Sequence, residues 1–160
     1  MSKNTITIQH LDILCRHISE LRDAGVTENI AIRLLELCTN IYAKNLIMGN
    51  TNPDHVDQFP RWSKDACKAK KANSTLGSGQ YLRVEHGTPK RQFARLVFKK
   101  FLEQALTKAW MDRFCARRWR VAVVTHEEDR RLARSKLFPS PEARWKAVGI
   151  EFCRCKLHTH

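Results

Sequence analysis

Residues 81–89 read Tyr81-Leu82-Arg83-Val84-Glu85-His86-Gly87-Thr88-Pro89, and this stretch decides the fold class. The alternation over Tyr81–Glu85 predicts a strand. Gly87-Thr88-Pro89 predicts a sharp turn into a helix, with Thr88 as N-cap and Pro89 at the first helical position. Downstream, Phe93, Leu96, Val97, Phe101, Ala105 and Ala109 recur at helical spacing, so one helix is expected from Pro89 to about Trp110. Val121–Val124 is a β-branched run suited to a buried strand, and Thr125-His126-Glu127-Glu128 is a capping box that opens a helix to about Ser135. Ser140-Pro141 opens another helix, closed by Gly149, and Ile150–Cys155 alternates as a third strand.

Upstream of this stretch the pattern is purely helical. Ile8, Leu11, Leu14 or Cys15, Ile18 and Leu21 or Arg22 mark one amphipathic helix, and Gly25 ends it. Thr27 caps a second, with Ile30, Leu34, Leu37, Cys38, Ile41 and Met48 along one side and Gly49 at its end. The short linker predicts an antiparallel helical hairpin. A turn-rich connection runs from Asn50 to Pro60, a short helix from Lys64 to about Ala72, and a Gly-Ser loop over 77–79. The expected fold is α+β: a helical hairpin and linker over 1–60, then a basic domain over 61–160 with a small mixed sheet packed with helices.

The chain has 160 residues and 29 Lys+Arg against 16 Asp+Glu, a net +13. Residues 1–60 hold 5 basic and 7 acidic side chains, whereas 61–160 hold 24 and 9. Counted along the chain, the excess lies wholly after Arg61, and a polyanion is the partner such a balance predicts. Lys90, Arg91, Arg95, Arg117, Arg118, Arg120 and Arg131 are the expected phosphate contacts, RNA and DNA being equally served by them. Trp62, Trp119 and Trp145 each stand beside arginine, a pairing that suits bases and protein hot spots alike.

Candidate chemistry gathers at the strand ends. Glu85 and His86 precede one helix start; His126, Glu127 and Glu128 open another. With a helix between the two strands, parallel pairing is expected. Both groups then emerge at one sheet edge, with Glu85, His86, Glu127 and Glu128 as acid, base or anion-orienting groups of a phosphodiester-acting site. Lys90 or Arg131 would hold the anion. The bland alternative is that these side chains cap helices. Cys153, Cys155, His158 and His160 depart from structural zinc spacings, so no metal site is assigned. The sequence names no cofactor.

No apolar run is free enough of charge to span a bilayer, and the N-terminus lacks a signal-peptide pattern. Cys15, Cys38 and Cys67 are scattered as reduced cysteines are, so a cytoplasmic protein is expected. Residues 6–48 are the expected surface for homodimerisation or for docking another partner.

The segments Leu82–Pro89, Val123–Asp129 and Ala143–Ile150 together resemble small accessory proteins of phages and plasmids. That resemblance implies a role against host defence, anti-CRISPR-like, in which the chain binds a nucleic-acid-handling host protein without catalysis.

Overall fold

The computed structural model describes residues 5–49, 55–76 and 81–153, and the chain is a mixture of helix and strand. It forms two compact units, each assembled from separated stretches: Met1–Thr51 with Pro89–Trp119, and Asn52–Thr88 with Arg120–His160. The division is therefore not the expected cut at residue 60. Residues 89–119 hold two helices joined by a short turn, and these pack with the N-terminal helices in one unit.

The first unit is helical. α1 (Ile8–Asp23) starts at Thr7, whose hydroxyl accepts from His10 N–H while Thr7 N–H donates to His10 Nδ1. α2 (Glu28–Ala31) and α3 (Arg33–Met48) follow, interrupted only at Ile32, and Gly49 closes α3 with φ 66°. α5 (Lys90–Leu102) and α6 (Lys108–Arg118) complete the unit; α4 (Lys64–Ala72) belongs to the other. The helix expected over 89–110 is thus two. Gln104, in the left-handed region at φ 53°, breaks it, and Thr107 caps the new helix by accepting from Trp110 N–H. The core joins Leu11, Cys15 and Ile18 to Ile32, Leu35, Tyr42, Phe93, Val97, Phe98, Met111 and Phe114. Tyr42 Oη donates to Asp112 at 2.7 Å, and Trp119 Nε1 donates to Asn40 at 2.9 Å.

One expectation for α3 is reversed. Ile32, Leu35, Cys38, Thr39 and Tyr42 face the core, while Ile30, Leu34 and Leu37 face water. Both stripes are apolar at helical spacing, so periodicity alone did not choose between them.

The second unit centres on β1 (Leu82–His86) and β2 (Val121–Thr125), paired antiparallel with Leu82 opposite Thr125 and His86 opposite Val121. The parallel pairing is corrected: α5 and α6, which lie between the strands in sequence, build the other unit and are not a crossover on this sheet. The ladder extends beyond β2. Val123 N–H donates to Arg61 O and Ser63 N–H to Val123 O, a parallel bridge, while Cys153 N–H donates to Trp62 O on the far side. Phe152 forms an isolated antiparallel bridge with Ser63, made by Lys64 N–H to Glu151 O and Cys153 N–H to Trp62 O, so the third strand expected over Ile150–Cys155 is reduced to one bridge among its described residues, Ile150–Cys153. α4 (Lys64–Ala72), capped by Ser63, flanks the ladder. α7 (His126–Arg131) is shorter than expected, and α8 (Pro141–Lys146) follows.

Trp145 is fully buried with Ala122, Val124, Leu132 and Ile150, and Val148 and Phe152 pack on them. Cys67 of α4 and Cys153 form a disulfide, which corrects the reading of Cys67 as reduced; the bridge brings Cys153 alongside Trp62 and hence beside α4. Cys15, Cys38 and Cys115 are free and buried, and burial pushes the Cys15 and Cys115 thiols up to about 12. No helix among the described residues is long and apolar enough to cross a membrane.

Candidate functional site

The antiparallel register separates the two pairs expected to share a cleft. Glu85 stands opposite Ala122, whereas His126 follows Thr125 at the other end and donates its N–H to Tyr81 O. Four residue steps along the strand separate them, roughly 14 Å. His126 Nε2 instead meets Arg83 Nη2 at 2.7 Å, and Glu127 is exposed.

Glu128 is buried, and one of its carboxylate oxygens is the centre of a local network. Its Oε2 accepts from Ser63 Oγ at 2.6 Å, Thr125 N–H at 2.8 Å and Thr125 Oγ1 at 3.1 Å, and Glu128 N–H donates back to Thr125 Oγ1. This carboxylate ties the start of α7 to the segment that caps α4. Three donors on Oε2 hold this carboxylate against Ser63 and Thr125. Glu128→Ala is expected to cost about 2–3 kcal/mol, because it removes a cap and leaves the buried Ser63 hydroxyl and Thr125 N–H unpaired. Urea unfolding checks this, with Glu128→Gln recovering part of the loss.

The structure brings Glu85 to residues not selected from the sequence. Arg144 of α8 is 1% exposed. Its Nη1 donates to Glu85 Oε1 at 2.9 Å and to His86 O at 2.6 Å, and its Nε donates to Ala133 O at 3.0 Å. Asp129 and Arg134 lie close enough to act electrostatically on Glu85, and Arg134 Nη2 holds both Asp129 oxygens at 2.8–2.9 Å. Burial raises the Glu85 carboxyl above the ordinary range and outweighs the opposing pull of Arg144. Two carboxylates and two guanidiniums thus neutralise one another. The sequence offered one signal for this: a carboxylate at the end of a strand beside a core needs a buried cation. Nothing in the spacing said which arginine supplies it.

Close approach is built in at Gly87. Its N–H donates to Arg120 O at 2.7 Å, and a Cβ there would stand 2.3 Å from Pro141 Cβ and 2.9 Å from a Trp145 ring carbon. Gly87 is needed for space, so that α8 can carry Arg144 against the end of β1.

The expected phosphate contacts divide. Arg91 pairs with Glu36 at 3.3 Å and Arg95 with Glu28 at 3.0 Å, so helix packing uses both. Arg118 is half-buried and already engaged. Arg131 donates to Val148 O at 3.3 Å, and Arg120 is exposed beside Glu142, which Arg61 also holds. Lys90 and Arg117 are exposed. Arg113, missed because the preceding helix was expected to end at Trp110, is exposed one turn before Arg117 on α6. The i, i+4 spacing inside a helix begun at Thr107 was the available signal.

Among the described residues no three His, Cys, Asp or Glu side chains converge as metal ligands. Cys155, His158 and His160 lie outside the described residues. Comparison with protein-family models, curated proteins and solved structures finds no match for the chain.

Proposed function

We propose that this chain is a non-catalytic binder of nucleic acid, acting through exposed basic side chains and not through a hydrolytic site at Glu85. The charge supports this reading more strongly by unit than by sequence halves. Residues 1–51 with 89–119 carry 14 Lys+Arg against 7 Asp+Glu, and residues 52–88 with 120–160 carry 15 against 9. Each unit is basic by itself, at +7 and +6.

The observation that carries the reading is on α6. Arg113 and Arg117 share one exposed ridge and have no carboxylate partner among the described residues, with Ala109 and Ala116 exposed beside them. Small neighbours leave both guanidiniums room to meet phosphates. Glu85 and Glu128, by contrast, are already occupied by Arg144, Ser63 and Thr125.

Fluorescence anisotropy with a labelled single-stranded RNA and a DNA duplex tests it. Micromolar binding is expected near 50 mM salt, falling at least tenfold by about 200 mM as counterion release is lost. Arg113→Glu with Arg117→Glu is expected to weaken binding about tenfold without moving the melting temperature, since both side chains are on the surface. Flat titrations with both nucleic acids near 50 mM salt remove the proposal.

A further inference from the structure

The apolar stripe that α2 and α3 leave in water is the feature that the polyanion reading does not use. Ile30 is 67% exposed, Leu34 54% and Leu37 55%, and Ile41 continues the row half-buried. The first three leave roughly 350 Å² of side chain in water, the size of the largest patch on a typical monomer. The opposite side of α3 is fully used: Leu35, Tyr42 and Ala43 are buried in the unit's own core. The outward stripe is therefore surplus to folding.

From this stripe we infer that the chain forms a two-fold dimer in which α2–α3 of one copy packs antiparallel against α2–α3 of the other. The spacing is the argument for a second copy. Residues 34, 37 and 41 of α3 are separated by three and four, the spacing of the seam by which helices pair, and Ile30 of α2 extends the row four residues back across the interruption at Ile32. The row is also palindromic. A two-fold axis between Leu34 and Leu37 sets Ile30 against the partner's Ile41 and Leu34 against the partner's Leu37, so every apolar side chain meets an apolar one. Antiparallel helices also set opposite dipole ends side by side. The one exposed charge beside the row, Arg33, falls opposite the partner's Cys38, away from the partner's Arg33. The three exposed side chains of both copies bury roughly 700 Å² together, which suits a weak, transient pair and not a permanent one. This inference stands apart from nucleic-acid binding: either can fail alone.

Sedimentation velocity on the full chain at about 100 µM is expected to give twice the 18.6 kDa chain mass, dissociating on dilution. Leu34→Glu with Leu37→Glu is expected to give a monomer that retains its helical circular dichroism, because both side chains are outside the core. A wild-type monomer at that concentration overturns the dimer, as does a double variant that remains dimeric. Mixing Ile30→Cys chains with Ile41→Cys chains tests the register independently. Mixed cross-links between positions 30 and 41 support the antiparallel pair, and cross-links confined to Ile30→Cys with itself overturn it. Flotation with anionic vesicles separates the remaining occupant: a wild-type monomer that floats, and loses flotation in the double variant, assigns the stripe to a lipid surface and overturns the dimer.

Discussion

Arg144→Met is expected to destabilise the protein by about 3–5 kcal/mol, lowering the melting temperature by roughly 10 °C or more. The guanidinium is almost wholly buried, and it is the donor for Glu85 Oε1, His86 O and Ala133 O. Methionine fills much of the volume but donates nothing. A largely buried carboxylate and the His86 and Ala133 carbonyls then lose their donor, and the unpaired charge of Glu85 dominates the loss.

The pH dependence gives the mechanism away. In the wild type burial already raises Glu85, and Arg144 is the main group holding it down. Without Arg144 the folded carboxyl rises further, while the unfolded one keeps its ordinary value. Between those two values the folded state binds more protons than the unfolded, so stability falls as pH rises through the window. Arg144→Met is therefore expected to regain stability as pH drops from about 7 towards 5, by protonating Glu85. Glu85→Leu added to Arg144→Met is expected to restore more than half of the loss at neutral pH, because it removes the stranded charge. Urea unfolding of the single and double variants at the two pH values measures all of this. A single variant within about 1 kcal/mol of wild type would sink the argument.

Local signals in this chain were legible where the chemistry is local. The Thr125–Glu128 capping box, the Ser140-Pro141 helix start and the Val121–Val124 strand are each set by neighbours within four residues, and each stands where its residues put it. The strand sense was not legible. The rule that a helix between two strands makes them parallel holds when the helix packs on their sheet. Here α5 and α6 leave for the other unit, and the chain returns with its direction reversed. The same excursion explains the charge. Lys90–Arg118 counts with the second half in sequence but belongs to the helical unit in space, so an apparent gradient becomes two basic bodies.

The surroundings of Glu85 were not legible for a related reason. Glu85 stands near the end of β1 as expected, but the cation it pairs with is 59 residues away. Arg144 sits in a six-residue helix among Glu142 and Lys146, where composition reads as solvated surface. Only the approach of α8 to the end of β1 turns it inward, and that approach depends on what residue 87 lacks.

Gly87→Ala is accordingly expected to cost about 3 kcal/mol, well beyond an ordinary glycine substitution. The added methyl would stand 2.3 Å from Pro141 Cβ, 3.0 Å from Pro141 Cα and 2.9 Å from the Trp145 ring. The backbone atom cannot swing away as a flexible side chain would, and Trp145 is pinned in the core by Ala122, Val124 and Ile150. Relief requires α8 to retreat, which stretches the Arg144 bonds to Glu85 and His86 O and loosens the Trp145 contacts together. Backbone entropy works the other way, since alanine restricts the unfolded chain and by itself adds a few tenths of a kcal/mol. The clash is the larger effect. Pro141→Gly removes the nearest atom, and although it weakens the start of α8, the two changes are expected to be non-additive by at least 1 kcal/mol in the favourable direction. A cycle of the four proteins in urea reads that coupling directly. Additive losses would mean that Gly87 serves β1 alone and that α8 reaches Glu85 without it.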